Sequence, residues 1–264
     1  MANLSLHRVL VIAPHPDDDV IACAGLLQRA GEPRILFVTD GERNPWPQRF
    51  LFGKLRLTDE DRAQWGAMRR REALESLQIT GAGEHQTRFL GFPDQRLMSL
   101  ARRGDRRLLA LLTEEIRTFA PTLIVSPSTF DAHYDHRAIA WYAHQAAREC
   151  GAEIVTYSIH GGAPRNRVRA VLELAEDERQ RKRAAILSHK SQLLLSRERF
   201  LSYATADETF YRAEFDVVRV DSRWKCFALR MKHALFVLFG RHHELRVETA
   251  ADVEDRAGDV ARLL

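Results

Sequence analysis

Residues 8–32, RVLVIAPHPDDDVIACAGLLQRAGE, change character twice. The first six are apolar and rich in β-branched side chains, the pattern of a short strand buried on both faces. From Val20 the apolar positions fall at helical spacing, and Gly31 supplies a stop. Between strand and helix sit one histidine, two prolines and three consecutive aspartates. The next segment, RILFVTDGE (34–42), reads as a second strand that turns at Asp40-Gly41. Strand, helix and strand in that order specify a parallel α/β unit.

The alternation continues. Residues 44–61 mix Pro, Trp, Phe and Arg without a period and read as a long loop, a rim over the strand ends. Residues 59–79 form an amphipathic helix, 87–94 a strand and loop, 106–120 a helix stopped by Pro121, and 122–128 a buried strand. DAHYDH (131–136) precedes a helix over 137–150, and 152–159 is the next strand. EDERQRKRAAILSHKSQLL (176–194) reads as one helix, and FYRAEFDVVRV (210–220) closes the core. The expected fold is α/β: a Rossmann-like, mostly parallel sheet with helices on both faces. Composition changes at Asp221, which divides the chain into a domain over 1–220 and an extension over 221–264.

The bulk properties agree. The chain has 264 residues, 45% hydrophobic and 29% charged, ordinary for a globular protein with a sizeable core. A formal charge of +4, from 40 basic against 36 acidic residues, is a mild excess. With no basic stripe and no reading motif, nucleic acid is not an expected partner. Three cysteines, Cys23, Cys150 and Cys226, lie far apart without CxxC spacing, so neither a disulfide framework nor a cysteine zinc site is expected. A reducing cytoplasm is the expected compartment. No signal peptide or membrane span is read from the sequence.

In open α/β sheets ligands bind at the carboxyl ends of the strands. HPDDD follows the first strand, TDGE the second, GFPD another and SPSTFDAHYDH another. Four strand ends therefore bring His, Asp and Glu to one edge. His15 and Asp18 can supply a nitrogen and an oxygen from one turn. A second histidine from HYDH completes three ligands and leaves positions open, as in a catalytic zinc site. A divalent cation also offsets the repulsion among Asp17, Asp18 and Asp19. Each segment alone has a structural reading, as first-turn acids and a helix cap. The two together, each at a strand end, point to a metal.

At this level of detail the sequence resembles the PIG-L/LmbE-like N-deacetylases. The resemblance rests on APHPDDDVIACAGLL with DAHYDHRAIA, extended by TDGE, RRREALESL, LGFPD and AAILSHKSQ. It implies that His15, Asp18 and His136 hold Zn²⁺, or another divalent metal such as Fe²⁺. It implies Asp17 as general base toward the attacking water and His133 as the group that stabilises the oxyanion or protonates the leaving amine. Asp135 would orient His133. Arg69 and Asp94 resemble substrate-sugar contacts, and Glu42 is either a further contact or a turn residue. The implied reaction removes acetyl from an N-acetylated amino sugar of the GlcNAc type. One departure stands out: the family's glutamate after the two aspartates is Asp19 here, read as a support for His15 or Asp18. His189 is read as structural or supporting, Asp131 as a loop residue capping the HYDH turn, and His144 and His160 as lying outside the ligand set.

Alternatives are a metal-dependent amidase acting on a non-sugar acylated amine, and a metal- or sugar-binding protein without catalysis. Nucleotide binding ranks low because no GxGxxG follows the first strand. Residues 222–243 interleave Arg, Lys and His with Trp, Phe and Leu. That extension is expected to pack on the core, to lie at a membrane surface or to form an oligomer contact.

Overall fold

The computed structural model describes residues 4–161 and 163–214. The extension expected over 221–264 lies outside the described residues.

Seven strands form one sheet: β1 (Arg8–Ala13), β2 (Glu32–Thr39), β3 (Thr87–Phe92), β4 (Leu123–Pro127), β5 (Ile154–Tyr157), β6 (Val168–Leu172) and β7 (Glu208–Arg212). Their order is β3-β2-β1-β4-β5-β7-β6. The first five are mutually parallel; β7 runs antiparallel to both β5 and β6. Eight α-helices join them: α1 (Asp18–Arg29), α2 (Pro45–Phe52), α3 (Asp59–Thr80), α4 (Leu97–Arg102), α5 (Arg107–Phe119), α6 (Tyr134–Cys150), α7 (Glu176–Ser188) and α8 (Lys190–Ser202). The mostly parallel sheet with helices on both faces is as expected. The antiparallel edge is an addition, because the strand VRAVL of β6 carries too little pattern to be read alone.

Strand alternation sorts the core into two layers. Val9, Val11 and Ala13 of β1 pack on the side that also holds Leu26 and Leu27 of α1 and Leu77 of α3. Leu10 and Ile12 face the other side, with Leu112 of α5 and Ile139 of α6. β1 is buried on both faces, which explains its unbroken apolar run.

Two expectations need correction. The segment over 44–61 is not all loop: Asn44 caps α2 through its side chain, Pro45 opens it, and Gly53 ends it at φ 62°. These are helix signals too short to show a period. The helix over 176–194 is broken at His189, where α7 ends and α8 begins.

α1 also departs from a plain helix. Cys23 has φ −136° and ψ 15°, so the helix kinks there. The backbone N–H groups of Gly25 and Leu26 donate to Glu208 Oε1 and Oε2, at 2.8 and 3.0 Å. Lys182 Nζ of α7 donates to the same carboxylate at 3.0 Å, and both side chains are fully buried. A Cβ on Gly25 would stand 2.1 Å from Leu174 Cδ2, so a larger residue there would force the buried Leu174 side chain to shift.

Candidate metal centre

The chain leaves β1 toward β2 on one side of the sheet and reaches β4 on the other. The crevice between β1 and β4 is therefore a topological switch point, the place where α/β sheets bind ligands. The turn after β1 delivers His15 and Asp17 to it, and Asp18 opens α1. The loop after β4 delivers Asp131 and His133, and the first turn of α6 delivers Asp135 and His136.

Asp18 Oδ2 is the meeting point. It lies 3.1 Å from His15 Nδ1 and 3.3 Å from His136 Nε2, and it accepts the His15 backbone N–H at 2.9 Å. Each histidine has a carboxylate on its far nitrogen. Asp94 Oδ1 is 3.2 Å from His15 Nε2, and Asp131 Oδ2 is 3.3 Å from His136 Nδ1. A carboxylate behind a histidine fixes ring orientation and raises ligand basicity, an arrangement common to metal sites.

The aspartates after β1 do not serve as a helix cap. Asp17 holds the N-cap position without a capping hydrogen bond. Its backbone sits at φ 155°, ψ −27°, a sparsely populated conformation that the surrounding turn enforces. Its carboxylate pairs instead with Arg69 Nη2 at 3.0 Å. Arg69 is buried and donates also to the carbonyls of Pro16 and Gly41, at 2.9 and 3.2 Å. Gly41 has φ 63°, and a Cβ there would stand 1.5 Å from Arg69 Nη1. Arg69 thus ties the turn after β2 to the turn after β1.

His133 is the N-cap of α6. Its Nδ1 accepts the backbone N–H of Asp135 at 3.3 Å, so its other nitrogen is the one free to carry a proton. Burial, with His136 and His15 nearby, holds its pKa well below the usual value. The expected carboxylate contact from Asp135 is absent. Residues two apart at a helix start face different directions. Asp135 Oδ2 accepts instead from the Gln95 N–H at 2.6 Å and lies 3.8 Å from His15 Nε2.

His160, left out of the ligand set by sequence, stands inside the cluster. Its ring centroid is 4.9 Å from that of His136 and 5.3 Å from that of His133. Its Nδ1 lies 3.0 Å from Arg199 Nη2, and burial with His136 and Arg199 brings its pKa down to about 4 against the pull of Asp131. No motif marks it, because it reaches the site from the far end of β5. Asp131 does more than cap a turn. Its Oδ1 accepts from His133 N, and its Oδ2 accepts from Ile159 N and His160 N while facing His136.

Asp94 is buried, with Oδ1 on His15 and Oδ2 accepting the Arg43 N–H at 2.9 Å, so protein groups take both oxygens. Glu42 Oε1 accepts the Asp94 N–H at 3.0 Å. Asp19 is fully buried and neither oxygen has a hydrogen-bond partner. Burial, then Asp17, pushes its pKa well up. His189 is buried with both ring nitrogens unpartnered. His144 lies away from the cluster, its Nδ1 2.7 Å from the Glu214 carbonyl.

The residues fit a divalent cation. Asp17, Asp18, Asp19, Asp94, Asp131 and Asp135 are all buried in this crevice, against the buried guanidiniums of Arg69 and Arg137. Neither ring nitrogen of His136 makes an aligned hydrogen bond, although both are buried. Burial alone would lower the pKa of His15, yet hydrogen bonds to Asp135, Asp18 and Asp94 raise it well above the usual value. Burial likewise opposes a charged His136, and Asp18 with Asp131 raises it to about 10. The crevice demands positive charge. Donor atoms from His15, Asp18 and His136 lie within 4.8 Å of one another, as ligands of one small ion must. Two further groupings, Asp131–His136–His160 and His15–Asp94–Asp135, share a histidine with the first and extend the same site.

Fold and site together define a Rossmann-like α/β protein with a His–Asp metal-capable centre at its switch point. The chain belongs to the PIG-L family, GlcNAc-PI de-N-acetylase, whose sequence model matches residues 10–147. Among characterised relatives it is similar to 2'-N-acetylparomamine deacetylase of Streptomyces fradiae, 27% identical over 141 residues. That match covers 49% of this chain and 48% of the relative, so the chain spans about half the length of the curated protein it matches. A deacetylase triple mutant from the teicoplanin biosynthetic pathway superposes with a TM-score of 0.60 at 22% identity, covering 77% of this chain and 96% of that one. GalB, the 4-carboxy-2-hydroxymuconate hydratase of Pseudomonas putida, superposes at 0.56 and 22% identity, covering 75% and 82%. At such identity these two likenesses establish the fold alone.

Proposed function

We propose that the protein is a metal-dependent N-deacetylase that releases acetate from an N-acetylated amino sugar, with the amide nitrogen on a GlcNAc-type ring. The observation that carries the reading is the convergence of His15, Asp18 and His136 beside Asp17, a buried carboxylate that is none of the three ligands. Family membership and the paromamine deacetylase relative support the substrate class.

Zn²⁺, or Fe²⁺ in its place, would be held by His15, Asp18 and His136, and would supply Lewis acidity toward the acetyl carbonyl and acidify water. Asp17 takes the proton of the attacking water. Burial pushes its carboxyl up to about 6 against the opposing charge of Arg69, a range suited to taking up and returning a proton near neutrality. Arg69 fixes its direction through the 3.0 Å pair. His133, neutral with Nδ1 occupied, offers its other nitrogen as an N–H donor to the carbonyl oxygen as it gains charge. The proton held by Asp17 then passes to the departing amine, so one water is consumed and acetate and amine are formed. Asp94 and Asp131 act through His15 and His136 by holding their rings. Asp135 anchors the loop after β3 through Gln95 N.

The test is acetate release by the zinc-loaded protein across a panel of GlcNAc conjugates and non-sugar acetamides. Turnover should be confined to the sugars. Asp17→Asn should keep its zinc by elemental analysis and lose about 10²- to 10⁴-fold in rate. Acetate from the non-sugar amides alone would move the reading to a general amidase. A variant within tenfold of the parent would remove Asp17 from the base role.

A further inference from the structure

We propose that Arg199 of α8 sets the tautomer of His160, which keeps His160 off the metal and makes its Nε2–H a second donor, beside His133, to the acetyl oxygen. The donor role rests on the deacetylase reading; the tautomer does not.

A guanidinium can only donate hydrogen bonds, and it keeps its proton. Arg199 Nη2 stands 3.0 Å from His160 Nδ1. Nδ1 is therefore the acceptor, and the proton of the neutral imidazole sits on Nε2. Arg199 uses one nitrogen lone pair and the other nitrogen is protonated, so neither is open to a metal. A histidine ligand needs the reverse arrangement, with its far nitrogen facing a carboxylate or carbonyl. His15 and His136 have it, through Asp94 and Asp131. A nitrogen of His160 also comes within 4.8 Å of donor atoms of Asp131 and His136. Proximity alone would make His160 a ligand; the Arg199 contact removes it from the set.

The fold builds this contact. α8 leaves helical geometry at Ser196, with φ −164° and ψ 82°, and the turn beyond it carries Arg199 to the loop after β5. Arg199 Nε donates to Tyr203 Oη at 3.3 Å, and Tyr203 Oη donates to the Ile159 carbonyl at 3.3 Å. From the other side, Asp131 Oδ2 accepts from Ile159 N and His160 N. The loop is pinned without the Arg199–His160 bond, so that bond serves the ring. His133 has the same arrangement, its Nδ1 accepting from Asp135 N. Two imidazoles with centroids 5.3 Å apart thus each keep Nδ1 occupied and Nε2–H free. The two nitrogens of an imidazole diverge, so the His160 Nε2–H is aimed away from Arg199. Among the described residues it has no acceptor. Such a donor at the edge of the centre is left for an oxygen of the bound molecule.

Long-range proton–nitrogen NMR spectra of the zinc-loaded full chain distinguish the two tautomers, with the His160 resonances assigned from their loss in His160→Gln. The parent should show Nε2 protonated and Nδ1 without a proton, and stripping zinc with chelator should leave that pattern. Arg199→Met should draw both resonances toward the average of the two tautomers, with melting temperature unchanged because Arg199 is exposed. A parent with Nδ1 protonated, a His160 nitrogen bound to zinc, or resonances unmoved by Arg199→Met would overturn the assignment. Acetate release tests the donor. His160→Phe should keep zinc content, hold KM within about threefold and lose about 10²-fold in kcat. His160→Gln, which retains an N–H donor, should recover at least about tenfold of that loss. A Phe variant with the parent's kcat, or a loss confined to KM, would overturn the donor role. A parent with the expected tautomer that releases no acetate from any sugar would sink the deacetylase reading and the donor role together, and leave the Arg199 assignment standing.

Discussion

Two sets of buried charges lie on either side of α1, and they are built on opposite plans. At its N-terminal end, six aspartates share a crevice with too few cations, and His15 and His136 are driven toward protonation. Past its kink, the Glu208 carboxylate meets Lys182 and two backbone N–H groups, and every charge has an aligned partner. A balanced buried cluster is complete in itself and contributes to the fold. An unbalanced one is a site, because its missing charge must come from a ligand. Burial alone does not separate them, since Asp18 and Glu208 are equally hidden.

The largest effect expected from this contrast is on stability, at the balanced end. Glu208→Ala would leave Lys182 as an unpaired buried cation and strip two N–H groups of their acceptor. Breaking such a pair costs about 3–5 kcal/mol. Urea unfolding should show that loss, while zinc affinity of the remaining folded protein stays within about threefold of the parent. A parallel fall in zinc affinity would show that the kink also sets the geometry of Asp18, and the two regions would no longer be separable.

The unbalanced end should respond in metal affinity instead. Asp131→Asn removes the charge behind His136 and keeps its shape. Loss of a carboxylate in that position costs about 10- to 100-fold in affinity. Titration of the metal-free protein against a chelating dye would measure it. Unfolding of the metal-free variant should change by less than the Glu208 substitution, because Asp131 then loses charge rather than every acceptor. An unchanged affinity would show that His136 is held by packing alone.

The same contrast explains what the sequence makes legible. β1, its turn and the start of α1 are contiguous, so HPDDD announces strand, site and helix within one segment. DAHYDH does the same for β4 and α6. The balanced cluster is invisible from sequence because its members are scattered: Gly25 and Glu208 meet only through the fold, across an antiparallel strand that no local pattern announces. His160 stays hidden for the same reason. Arg69 and Asp94 are legible as residues of the site, yet not in their contacts. A charged side chain near a crevice can face the ligand or stand behind the residues that do, and only the distances to Asp17 and His15 show which. His133 and Asp135 mislead in a further way, since proximity in sequence suggests a side-chain contact that helix geometry directs elsewhere.

His189 gives the smallest and sharpest test, because it belongs to neither plan. It is buried at the break between α7 and α8, with both ring nitrogens unpartnered. Burial, reinforced by Arg69, brings its pKa down to about 3 from an ordinary value of 6.5. Between those values the unfolded chain binds a proton that the folded protein refuses. The stability present above pH 6.5 is therefore lost as pH falls toward 3, with a limiting slope of about 1.4 kcal/mol per pH unit. His189→Phe removes the titration. Urea unfolding in chelator, from pH 6.5 down to 4.5, should show the variant's stability falling less steeply than the parent's by up to that slope, whatever its offset at neutral pH. Parallel curves would mean that His189 accepts a proton in the folded state. It would then be a third basic imidazole drawn upward by the aspartates, and the unbalanced region would extend across Arg69 as far as α8.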